Sequence, residues 1–97
     1  MNTERTPLFL MANLGTEVSR IISAKERGDT TLAQSAFLRA EKMLGEIRAF
    51  PEMTPRELEI SALEQAIRSF VEPNPDIIVS STHMKNYFAQ FALRLIT

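Results

Sequence analysis

Cysteine is absent from the 97 residues, which excludes disulfides, thiolate metal sites and cysteine nucleophiles. Tryptophan is absent too, and the three glycines, Gly15, Gly28 and Gly45, stand far apart, so no glycine-rich phosphate loop exists. There is no excess of positive charge. Eleven Lys+Arg against twelve Asp+Glu give a net charge of -1, which removes polycation-type contact with nucleic acid or anionic lipid. No apolar run approaches the ~20 residues a membrane-spanning helix needs. The longest near the N-terminus, Leu8 to Ala12, breaks at Asn13 without the basic start and small-residue cleavage site of a signal peptide. A cytoplasmic location is the expectation that follows.

The composition that remains, 44% hydrophobic and 24% charged, is that of a globular protein, and the length fits one domain over residues 1–97. Helical punctuation divides it. Thr6-Pro7 is a start signal, followed by Leu8, Met11, Leu14, Val18, Ile21 and Ile22 at intervals of three and four, with Asn13, Glu17, Arg20 and Arg27 on the polar side. Gly28-Asp29 ends that segment. Thr31 with Gln34 forms a capping box for a second helix, whose stripe runs Ala33, Ala36, Phe37, Ala40, Met43, Leu44 and Ile47 and stops at Phe50-Pro51. Thr54-Pro55-Arg56-Glu57 predicts a third start, and Ile60, Leu63, Ala66, Ile67, Phe70 and Val71 supply its buried face. Pro73-Asn74-Pro75 ends it, Ile77 to Val79 read as a buried connector, and Ser80, Ser81 or Thr82 caps a last helix. The spacing therefore predicts an all-α protein, an antiparallel up-down four-helix bundle with helices over about 7–27, 31–49, 55–71 and 81–96. A three-helix bundle with a docked C-terminal arm is the variant.

No catalytic, cofactor or metal site is expected. His83 is the one histidine, and Ser80 stands where a Glu-x-x-His ligand pair would need a carboxylate. Glu57, Glu59 and Glu64, like Glu41 and Glu46, fall on polar sides, where nothing shifts a carboxylate pKa toward acid–base work. On the first two helices Arg20, Lys25, Arg27, Arg39, Lys42 and Arg48 are interleaved with Glu17, Glu26, Glu41 and Glu46, which leaves no basic stripe.

Apolar surface in excess of one core remains. Leu38 lies opposite the alanine stripe of the second helix, Phe9 spreads beyond the main face of the first, and Ala89, Phe91, Leu93 and Ile96 widen the apolar arc of the fourth. These six residues are the candidate interface. The expected function is non-catalytic association with protein, as a homodimer through the fourth helix with help from the first.

Gly28-Asp29-Thr30-Thr31-Leu32-Ala33, leading into Ala40-Glu41-Lys42-Met43-Leu44, resembles the second helix of HEPN-type helical domains over some 17 residues. The same segment is similar to the second helix of a tetratricopeptide repeat at Gly28, Ala33, Phe37 and Ala40, with Gly45 where proline is usual. The HEPN resemblance implies dimerisation and partnership with a nucleotidyltransferase or RNA, and an arginine-lined groove between helices one and two involving Arg20, Arg27 or Arg39. The ribonuclease motif of that family, an arginine a few residues before a histidine, is missing, since Asp76, Ile77 and Ile78 occupy the matching positions before His83.

Overall fold

Each helix boundary has a local cause. The structure, a computed structural model, describes residues 6–96, with the backbone alone at residues 95 and 96. Helix α1 spans Pro7–Glu26. The Thr6 hydroxyl accepts the Phe9 N–H at 3.1 Å, and Pro7 occupies the first turn, where its missing N–H costs nothing. At the other end Gly28 takes φ 73°. Its N–H bonds the Lys25 carbonyl at 3.0 Å while the Asp29 N–H bonds Ala24 at 2.8 Å, so the last carbonyls of α1 are satisfied by the turn itself.

Helix α2 covers Thr30–Arg48, and its cap is Asp29, whose Oδ1 accepts the Leu32 N–H at 3.1 Å. The sequence pattern pointed to Thr31. Because Gly28 completes the turn at once, the next residue is already in capping position, and the α1–α2 connection is as short as a Gly-Asp pair permits. Such a link forces an antiparallel pair. Ala33, Ala36 and Ala40 are buried along the seam and let the two backbones approach closely.

The third start differs more. Pro51–Arg56 forms a 3-10 helix that includes Thr54 and Pro55, and helix α3 begins only at Glu57 and runs to Ser69, with no side-chain cap hydrogen bond. The buried side chain of Met53 pins this turn to the core. Glu57 does not reach back to close a capping box; it accepts from Arg48 and from the Ser61 hydroxyl. Residues 70–80 are irregular. Ile77 and Ile78 are exposed there, against the expectation of a buried connector, and only Val79 packs on the core. Ser80 then caps helix α4, Ser81–Ile96, by accepting the His83 N–H at 3.2 Å.

The four helices make an all-α antiparallel bundle, and no strand occurs among the described residues. Helix α1 is central: it packs on α2 and on α4, while α2 also carries α3. Contact on two sides explains why Leu10, which the periodicity placed off the main face, is 1% exposed. Helices α3 and α4 do not close the ring. They meet through side chains such as Glu59 and Tyr87, and a groove opens along the seam between them.

Charged groups tie the layers together. Arg48 bridges Glu57 and Glu64, and Arg68 bridges Glu41 and Glu64, linking α2 to α3 across their exposed edge. Glu17 departs from its predicted place on the polar side. It is buried between α1 and α2, where Arg20 and Arg39 bond its two oxygens at 2.8 and 3.0 Å. Two guanidiniums on one desolvated carboxylate satisfy the charge that burial would otherwise penalise.

Candidate functional site

Helix α4 enters the core through Met84, Phe88 and Phe91. Its closest approach to α1 is at Gly15, where an added Cβ would lie 2.7 Å from the Phe88 Cβ. Hydrogen in place of a side chain at Gly15 is therefore what lets α4 dock. Beside this contact a shallow groove runs between α1 and α4, walled by Ala12, Thr16, Ser19, Ala89 and Ala92.

A second groove occupies the open α3–α4 seam. Ala62, Leu63, Met84 and the Tyr87 ring make its walls, and Glu59 and His83 mark its edges. One turn before Ala62 on the same side of α3, Leu58 is 88% exposed, more than any other large apolar side chain on a described helix. Helix α4 is thus grooved along both flanks.

One polar cluster holds the two helices together at the base of the open seam. The Tyr87 hydroxyl donates to Glu59 Oε2 at 2.5 Å, and Arg56 bonds both oxygens of the same carboxylate at 2.9 and 2.6 Å. Tyr87 meets Phe88 and Phe91 edge-on, with centroids 5.1 and 5.4 Å away. Arg56 and Arg94 each lie within 6.0 Å of the Phe91 ring centre. The Arg56 guanidinium, followed by the Tyr87 hydroxyl, holds the Glu59 carboxyl below its usual value. Burial, reinforced by the hydrogen bond to Glu59, pushes the Tyr87 phenol above its usual value.

A raised phenol value means that the fold favours neutral tyrosine. The stabilisation is complete below the unfolded-chain value of about 10 and is lost as pH rises through the folded one. Tyr87 is the sole tyrosine and there is no tryptophan, so ultraviolet absorbance reads it without interference. The phenolate signal of the native protein is expected to appear only at a clearly higher pH than in denaturant, where it rises near pH 10. Glu59→Gln moves the native transition down. A native transition already near pH 10 would contradict the buried Tyr87–Glu59 contact.

The predicted interface residues are scattered by the fold. Ala89 and Leu93 are exposed on the outer side of α4, and Phe9 is half-buried near the start of α1, at the end of the bundle where α4 finishes. Phe91 is corrected: at 2% exposure it belongs to the core, because α4 turns that side toward α1 and the base of α3. Leu38 is 64% exposed but lies on α2, away from α4. The side chain of Ile96 lies outside the described residues. His83 is exposed, and no group of three metal-ligating side chains forms among the described residues. Arg20 and Arg39 converge from helices one and two onto the Glu17 carboxylate, and Arg20 and Arg27, with Thr16, Ser19, Ser23 and Leu32, line a shallow depression between α1 and the start of α2.

Leu58, Arg56 and Tyr87 stand outside the interface that the sequence predicts. Leu58 carried a signal, an apolar residue between Glu57 and Glu59 on the side opposite Leu63 and Ile67. The Tyr87–Glu59 contact spans 28 residues and had none. Among the described residues no helix is long and apolar enough to cross a membrane. No protein-family model matches the chain, and no curated protein or solved structure matches it.

Proposed function

We propose that this protein is a non-catalytic helical association module that forms a homodimer through α4. The observation that carries the reading is the way α4 is held. Three large side chains anchor it on one side, and grooves open along both of its flanks, the one toward α3 apolar-walled and the one toward α1 mixed, with Thr16, Ser19 and Lys85 in its lining. A helix buried on one side and grooved on two others offers unused apolar surface, and contiguous surface of that kind is where proteins meet. Its exposed positions Asn86, Ala89, Gln90 and Leu93 carry no charge and are flanked by Lys85 and Arg94, a pattern of charge-poor centre and charged rim. A second copy is the partner that every solution of the protein already contains, and two-fold pairing is the commonest way such a surface is closed.

Association stabilises the folded form by mass action, so the thermal midpoint of a dimer depends on protein concentration. The midpoint is expected to rise by several degrees between about 2 and 200 µM. A midpoint that stays constant over that range contradicts the proposal.

A further inference from the structure

We infer that the shallow depression between α1 and the start of α2 binds a phosphate dianion, the group that inorganic phosphate and phosphomonoesters share, through Arg20, Arg27 and the hydroxyls of Thr16, Ser19 and Ser23. This step does not rest on the association reading.

The lining is the first argument. Thr16, Ser19, Arg20, Ser23 and Arg27 share one side of α1 and its C-cap, and Leu32 of α2 completes the depression. Two guanidiniums and three hydroxyls can all donate hydrogen bonds, and no carboxylate is in the lining. A terminal phosphate is their complement, with three acceptor oxygens and close to two negative charges near neutral pH. Arg20 and Arg27 stand two turns apart, about 10.5 Å along the helix, with Ser23 between them. Two side chains of that length can close on one group from both ends. No third cation of α1 lies in the lining, which suits a single phosphate rather than the repeated charges of a nucleic-acid strand.

The second argument is that these groups are not used up by the protein. Arg48, Arg56 and Arg68 are each paired with glutamate, and Arg94 lies over the Phe91 ring. The Arg27 guanidinium has no carboxylate partner among the described residues, and the three hydroxyls make no hydrogen bond to them. Arg20 gives Nη1 to Glu17 and keeps the rest of its fork. Glu17 is not a competing charge, because Arg20 and Arg39 take its two oxygens, and two cations on one carboxylate leave the group positive. Of the acids nearest in sequence, Asp29 is turned to the Leu32 N–H as the α2 cap, and Glu26 lies outside the lining. The carbonyls of Ser23, Ala24 and Lys25, which would repel an anion, are bonded by the N–H groups of Arg27, Gly28 and Asp29.

Amide NMR spectra of the full chain, titrated with inorganic phosphate and with phenyl phosphate at about pH 7.5, test the site, with ionic strength held constant by chloride. The expected result is a saturable millimolar response confined to residues 16–27 and 32. Arg27→Gln should weaken it at least ~5-fold and Ser23→Ala should weaken it less, while Arg94→Gln, on another helix, leaves it unchanged. Circular dichroism should show native helix content in all three variants. Tighter binding of phenyl phosphate supports the site and assigns its ligand to monoesters whose apolar part meets Leu32; equal binding supports it and assigns the free ion. A response that does not saturate, that chloride alone reproduces, or that persists at full strength in Arg27→Gln overturns the inference. Tighter binding of a single-stranded oligonucleotide than of either probe overturns it as well.

Discussion

Gly15→Ala should destabilise the protein and Gly45→Ala should stabilise it, although both glycines lie inside α-helices. Alanine at an exposed helix position gains about 0.5–1 kcal/mol over glycine because less backbone freedom is lost on folding. Gly45 meets that condition: it is exposed on α2, and nothing lies within 4 Å of where its Cβ would sit. At Gly15 the added methyl would lie 2.7 Å from the Phe88 Cβ and 2.9 Å from its Cγ. These atoms are fixed close to the α4 backbone, so relief requires α4 to move away from α1 rather than a side-chain rotation. Overpacking of this kind costs about 1–3 kcal/mol, which exceeds the propensity gain. The two variants should therefore differ by about 2 kcal/mol, or on the order of 10 °C in Tm for a domain this size. Thermal denaturation of both, at one fixed concentration, decides it. Equal shifts of the same sign would mean that α4 does not rest on α1 at Gly15.

Removing Arg20 and Arg39 together should cost far more than the sum of removing each. The Glu17 side chain is 7% exposed, and the two guanidiniums are its only charged partners among the described residues. Either arginine alone still leaves the carboxylate paired. Because both arginines are about half exposed, each single alanine variant should cost no more than about 1 kcal/mol. The double variant strands a buried charge, and an uncompensated buried charge costs about 3 kcal/mol or more. The coupling between the two sites is thus about 1–2 kcal/mol. Glu17→Met in the double-variant background should restore most of the loss, because an apolar side chain of similar volume needs no partner there. Urea denaturation of the five proteins measures all of these terms, and strict additivity would show that Glu17 is hydrated in solution.

Most of the helix plan could be read from local chemistry. Thr6-Pro7, Gly28 and the Asp29 region act within a few residues of themselves, and the structure uses them with a shift from Thr31 to Asp29. Thr54-Pro55 failed as a start because a tertiary contact, the burial of Met53, decides where the chain turns. Periodicity identifies the α1 and α2 faces, yet it does not show that α1 is enclosed on two sides, which is why Leu10 lies off its stripe and Glu17 on its polar side although both are buried. The same limit applies to α4. Ala89, Phe91 and Leu93 look alike in a pattern of apolar residues, and only the packing of α4 on α1 separates buried Phe91 from the exposed pair.

The most direct test of the association reading is the solution mass of the intact chain, from sedimentation equilibrium at low salt over about 1–100 µM. The proposal predicts a mass that climbs toward about 22 kDa, twice the 11.0 kDa of the chain. A mass that remains at 11.0 kDa across the series would contradict it.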